Sequence, residues 1–190
     1  VMALQSPGRD IPRIIEGRLE KRPAYVAVRN WWAEGEPLKP WLFISGTTGI
    51  GKTWAAAWLI QDGGGRYCPT RSLIRAHTSC KTARAPQTQE AADALWHSLV
   101  RAHVLVIDEL GREPLDQVRD PFHDIVDQRG ERPTLVLSNV ASKELRDAFK
   151  SGLLDRRTAS RLAPMIHRDP SGKPVWDLVG EDMRGDFDSP

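Results

Sequence analysis

Apolar residues in this chain fall into short unbroken runs separated by longer stretches with helical spacing. WLFIS (41–45), HVLVI (103–107) and TLVLSN (134–139) are too short for helices, and HVLVI is a β-branched run of the kind found in strands covered on both faces. RYCPT (66–70) reads as a further short strand. Between the runs, TWAAAWLIQ (53–61), SLIRAH (72–77) and Leu115–Arg129 read as helices, and QEAADALWHSLVRA (89–102) repeats apolar residues at Ala92, Leu95, Trp96, Leu99 and Val100. Pro23 suits a first helical turn and opens the amphipathic stretch AYVAVRNWWAEG, expected to end near Gly35. Helices are also expected at 142–150 and 153–162. The polar, basic stretch Thr78 to Thr88, with Pro86, is expected as a surface loop, and MIHRDPSGKPVWDLV (165–179) as a closing hairpin turning at Pro170 and Gly172. Residues 1–22, broken by Pro7, Gly8 and Pro12, are expected as a polar arm ahead of one domain at 23–190.

Strands alternating with helices imply an α/β fold, here a parallel five-stranded sheet flanked by helices. In such sheets ligands collect at the carboxyl ends of the strands. Three polar segments fall there: the glycine-rich stretch GTTGIGKT, the pair Asp108 and Glu109, and Asn139. The chain has no internal repeat and no low-complexity tract.

Gly46 to Thr53 matches G-x-x-x-x-G-K-[ST] between a strand and a helix, the context in which a glycine loop is aimed at a helix N-terminus. Gly46, Gly49 and Gly51 allow the backbone to approach a β-phosphate closely, and the helix dipole adds partial positive charge. The candidate cofactor-binding set is Gly46, Thr47, Thr48, Gly49, Ile50, Gly51, Lys52, Thr53 and Trp54. Lys52 would reach the β- and γ-phosphates, and the Thr53 hydroxyl would hold Mg2+. An apolar strand ending in a carboxylate is the second phosphate-site element of P-loop NTPases, so Asp108 is the other candidate metal residue. Glu109 could polarise an attacking water, and Asn139 could hold that water or sense the γ-phosphate; either acid could instead simply end a strand at the surface. ATP and Mg2+ are the implied cofactors.

The 190 residues fit one domain, and 40% apolar content supports an ordinary core. A net charge of +2 neither supports nor excludes a polyanion partner. Cys68 and Cys80 lack metal-site spacing and are expected as free thiols. No apolar run approaches the roughly 18 residues that span a bilayer, and no signal-peptide core is present, so a cytoplasmic protein with no membrane partner is expected. The valine ahead of Met2 suggests a fragment boundary.

Four segments, in order, resemble the AAA+ ATPases of the DnaC/IstB helicase-loader group: GTTGIGKT (46–53), VLVIDELG (104–111), DQRGERPTLVLSNV (127–140) and RTASRL (157–162). The resemblance covers roughly residues 40–185 and implies an AAA+ core without a C-terminal helical lid. RTASRL is similar to the paired arginines of that family's arginine-finger box. By that likeness Arg161 is the finger and Arg157 its companion, with Arg156 a substitute; the bland alternative is a solvated helix face paired with Asp155. GEDMR (180–184) resembles a degraded G-E-S-Y-R element, which leaves no clear role for Arg184.

The resemblance implies an ATPase that self-assembles on single-stranded DNA to deliver a replicative helicase. The alternatives are a transposition-associated ATPase, an ATP-switched adaptor that recruits a transposase or helicase, and a small-molecule kinase. In the family a separate N-terminal region engages the helicase, and here that region is expected to be absent, truncated or replaced. Arg71, Arg75, Lys81 and Arg84 form a basic segment that could contact DNA backbone or simply be solvated. Trp31 or Trp32 could stack on adenine, although aromatics on an amphipathic helix are more often core.

Overall fold

Unbroken apolar strands require cover on both faces, and the sheet has it. The structure, a computed structural model, describes residues 20–33 and 37–179. Helix α1 (Pro23–Trp31) precedes β1 (Trp41–Gly46), α2 (Lys52–Gly63), β2 (Arg66–Pro69), α3 (Thr70–Thr82), α4 (Pro86–Val100), β3 (Leu105–Leu110) and α5 (Leu115–Arg129). Then come β4 (Thr134–Ser138), α6 (Ser142–Ala148) running into a π-turn (Phe149–Leu153), α7 (Arg156–Leu162) with a 3-10 turn (Ala163–Met165), and β5 (Trp176–Leu178). The order across the sheet is β2-β3-β4-β1-β5, with every pairing parallel.

Side chains alternate across each strand into two apolar clusters. Trp41, Phe43, Leu105, Ile107 and Val136 face the cluster built with α3 to α7, whereas Leu42, Ile44, Val106, Leu135 and Leu137 face the cluster with α1 and α2. Burying each such side chain stabilises by about 1.5–3 kcal/mol, so both faces contribute. Arg129, at the end of α5, is only 1% exposed. Its guanidinium donates to the carbonyls of Leu99, Val100, Ala102 and Pro133 and to the Thr134 hydroxyl, joining α4, α5 and β4. Burial pushes its pKa down to about 9.

Several expectations need correction. The stretch 78–88 is mostly helix: α3 continues to Thr82 and Pro86 starts α4, because proline fits a first turn as well as a loop. The first helix stops at Trp31, and Gly35 lies outside the described residues. The 165–179 segment is no hairpin. Ile166 bridges Trp41 in parallel, a turn from Asp169 to Lys173 carries the chain outward, and Trp176–Leu178 rejoins the same edge of β1 in parallel. Asp169 accepts from the Ser171 and Lys173 N–H groups, which accounts for the turn residues that mimic a hairpin. Strand β3 runs through Asp108 and Glu109 to Leu110 rather than stopping at Ile107. No helical lid follows β5 among the described residues; the 1–19 part of the arm and GEDMR (180–184) lie outside them.

Candidate nucleotide-binding site

The glycine loop lies between β1 and α2, with Gly49 and Gly51 at φ 93° and 88°. Ile50 is buried in the α1/α2 cluster and anchors the loop, while Thr47 and Thr48 are exposed. A Cβ on Gly46 would strike the Leu178 carbonyl of β5 and lie 2.5 Å from Ile50 Cδ1; one on Gly51 would lie 2.7 Å from Arg22 Cδ. Gly46 therefore excludes a side chain for lack of space against backbone, and Gly51 disfavours one through its left-handed φ of 88°. Lys52 begins α2, is 7% exposed, and donates through Nζ to the carbonyls of Gly46 and Thr47 at 2.7 and 2.8 Å. Thr53 is exposed on the first turn of α2, and Trp54 is half-buried against the α1/α2 cluster.

At the end of β3, Asp108 is 5% exposed. Its Oδ2 accepts from the Tyr67 hydroxyl and its Oδ1 from the Glu109 N–H, both at 2.7 Å. Burial pushes this carboxyl above its ordinary value, against those two hydrogen bonds and the attraction of Lys52. Burial likewise pushes Lys52 down, against Asp108. The two groups attract, and burial opposes that attraction at both. The Tyr67 phenol is raised by burial and then by Asp108.

Glu109 is at φ 61°, the one non-glycine residue with positive φ among those described. Such a conformation costs about 1–3 kcal/mol and persists only where its surroundings hold it. Here the β3–β4 register shifts between Ile107 and Leu110, and the Ser138 hydroxyl donates to the Leu110 carbonyl at 2.6 Å. Arg112 Nη1 meets Glu109 Oε1 at 2.6 Å, and Gly111, at φ 91°, leaves room for Val140. Asn139 is exposed at the end of β4, flanked by Ser138 and Val140; the Val140 carbonyl accepts from Ser45 at 2.5 Å, which ties the segment to β1.

Glycine loop, Asp108–Glu109 and Asn139 thus share the carboxyl edge of one sheet. The arginines lie on α7. Arg156 and Arg157 are exposed, and Arg161 pairs with Asp127 of α5 at 2.9 Å. Asp155 caps α7 by accepting from Thr158 N–H and also meets His123 Nε2 at 2.6 Å. On α3, Arg71, Arg75 and Lys81 are exposed, with Lys81 3.4 Å from Asp124, and Arg84 is exposed between α3 and α4. Trp31 and Trp32 are each 4% exposed and donate to the Lys39 carbonyl and to Asp62, so both are core and neither is open to a base. A cavity of about 280 Å3 lined by Phe43, Phe149, Leu162 and Val175 contains none of the candidate phosphate-site residues.

Motif reading missed Tyr67, Arg112 and Arg129. Arg112 could have been sought three positions after Glu109; Tyr67 carries no signal until β2 and β3 are in register.

A family profile described as IstB-like ATP binding protein matches residues 39–167, about two-thirds of the chain. The chain belongs to this family. No curated protein matches it. Among solved structures, DnaI is similar at 21% identity and TM-score 0.54, over 90% of this chain and 87% of that one. AMPPCP-bound DnaA from Aquifex aeolicus is similar at 17% identity and TM-score 0.50, over 85% of this chain. The IstB-like chain spans about half of that DnaA, 46% of its length. These likenesses show a shared fold, and together with the family match the parallel sheet and glycine loop are those of a P-loop AAA+ core.

Donor chemistry in this IstB-like domain fits a magnesium nucleotide. Among the described residues no group of three or more His, Cys, Asp or Glu side chains could hold a metal alone. A hydroxyl at Thr53 and a carboxylate at Asp108 form an incomplete set, which is how Mg2+ is held when phosphates and water complete its shell. No helix of the described residues is long and apolar enough to cross a membrane.

Proposed function

We propose that this IstB-like domain hydrolyses ATP, assembles with further copies of itself, and uses that cycle on single-stranded DNA to deliver a replicative helicase. The observation that carries the reading is the convergence of the glycine loop, the buried Asp108 and the adjacent Glu109 on one sheet edge. Lys52 would exchange the loop carbonyls for phosphate oxygens, and loop N–H groups would surround the β-phosphate. Mg2+ held at Thr53 and Asp108 would offset charge on the phosphates. Glu109 would orient the attacking water, and Asn139 would steady it from β4. The residues over 23–190 form the ATPase unit in this reading, and the exposed Arg71 and Arg75 on α3 offer a backbone contact for DNA.

Arg161 is the proposed finger for a neighbouring copy, with Arg157 its companion. In this structure Arg161 is held by Asp127, so acting in trans requires it to leave an exposed pair worth at most about 1 kcal/mol. Assembly can supply that. A second reading, an ATPase that recruits a transposase, is favoured by the IstB-like family match.

ATP hydrolysis across a protein concentration series, with and without single-stranded DNA, tests the proposal. Rates per subunit should rise with concentration and DNA and collapse in Arg161→Ala, since fingers are typically worth 10³–10⁵ in rate. A flat rate indifferent to Arg161 would overturn assembly-dependent catalysis. Stimulation by DNA without any capture of a hexameric helicase would favour the recruitment reading.

A further inference from the structure

Asp108 is held at three points, and two of them come from the edge strand β2 and the helix after it. The Tyr67 hydroxyl donates to Oδ2 at 2.7 Å, and the Thr70 hydroxyl donates to the Asp108 carbonyl at 2.8 Å. The third is the Glu109 N–H on Oδ1. Register explains the division of labour. Pro69 stands opposite Asp108 in the β2–β3 ladder, and Thr70 follows it directly, which brings the Thr70 hydroxyl to the Asp108 carbonyl. Tyr67 stands opposite Val106, two residues earlier, so its long ring carries the hydroxyl along the sheet to the carboxylate.

We propose that Tyr67 is a positioning residue for the metal-bearing reaction of this site: it fixes the Asp108 carboxylate in the orientation that a bound Mg2+ needs. The inference rests on the nucleotide-site reading above. One donor on each oxygen fixes the carboxylate plane, because rotation about the Cβ–Cγ bond breaks both hydrogen bonds together. Each oxygen keeps lone-pair directions for a metal or its water. A phenol is a neutral donor, so it orients Asp108 without cancelling the charge that attracts the cation; a lysine or arginine there would do both. A buried carboxylate needs such partners in any case, and outer partners of metal ligands typically affect metal affinity 10–100-fold. Tyr67 also belongs to the strand that leads directly into α3, so the helix with exposed Arg71 and Arg75 is joined covalently and by Thr70 to the Asp108 backbone.

The test titrates Mn2+ into the protein–ADP complex and follows the free ion by electron paramagnetic resonance, with ADP affinity measured separately in EDTA. Wild type, Tyr67→Phe, Asp108→Asn and the double variant are compared. Tyr67→Phe should weaken Mn2+ binding on the order of 10-fold while leaving metal-free ADP affinity unchanged. The double variant should bind Mn2+ no worse than Asp108→Asn alone, because Tyr67 acts through Asp108. Unchanged Mn2+ affinity in Tyr67→Phe, or losses that simply add, would overturn the proposal alone. Failure of the wild type to bind ADP would overturn the nucleotide site itself. If Tyr67→Phe does not fold, 3-fluorotyrosine in a Tyr25→Phe background leaves Tyr67 as the one labelled ring of the chain's 2 tyrosines. Mg2+ added with ADP should then shift its ¹⁹F resonance, and an unmoved resonance would overturn the assignment.

Discussion

Arg112 Nη1 stands 2.6 Å from Glu109 Oε1, and the Arg112 N–H reaches back to the Glu109 carbonyl at 3.2 Å. The proposed water-polarising carboxylate is therefore engaged by a cation three residues along, on a backbone already turned to φ 61°. The pair is exposed, with Arg112 at 69% and Glu109 at 36%, so it is worth at most about 1 kcal/mol.

Arg112→Ala should free Glu109. Basal ATP turnover should rise by up to about fivefold, the rate equivalent of about 1 kcal/mol, with nucleotide affinity unchanged. Steady-state phosphate release checks this, and a fall in turnover would show that Arg112 assists the reaction.

Glu109→Gln should keep ATP binding and lose hydrolysis, whereas Lys52→Ala should lose binding, because the phosphates lose their principal cation. Fluorescent-nucleotide titration beside phosphate release separates the two. Hydrolysis unaffected in Glu109→Gln would remove that residue from the mechanism.

Arg129→Ala should destabilise the fold by about 3–5 kcal/mol, since it strands four carbonyls and the Thr134 hydroxyl that the buried guanidinium now serves. Urea unfolding measures the loss. A change below about 1 kcal/mol would mean that water replaces the guanidinium at the α4–α5–β4 junction.

His123 links α5 to the N-cap of α7. Burial lowers its pKa, but hydrogen bonds to Asp155 and Asp124 outweigh that and hold it above the ordinary imidazole value. Asp155 is lowered by the Thr158 N–H and then by His123, and Asp124, against its burial, by His77 and His123. Lys81 and Asp127 also face this cluster, as does Arg161 through Asp127. A raised histidine pKa stabilises fully below the unfolded value of 6.5, and the contribution is lost as pH rises through the folded pKa. The wild type's advantage over His123→Gln in melting temperature should thus shrink as pH rises above 6.5. An advantage that grows with pH would contradict this sign.

Short unbroken apolar runs and periodic helices were legible because both reflect local burial. WLFIS and TLVLSN became β1 and β4 almost residue for residue, and Leu115–Arg129 became α5. Segments with two local solutions were not legible. Pro86 reads equally as a loop residue or a helix start, and the Asp169–Lys173 turn looks like a hairpin until Ile166 and Trp176 are both seen parallel to β1.

By itself the sequence determined which residues make up the proposed phosphate site of this IstB-like domain, because glycine spacing, a lysine and a helix start are contiguous and a carboxylate ending an apolar run is a local pattern. Tertiary structure alone decided what surrounds that chemistry. Tyr67 and Asp108 are 41 positions apart, and Asp127 and Arg161 are 34. Such pairs meet only after strand register and helix packing are set, and those depend on the summed burial of both sheet faces, which no single stretch of chain encodes.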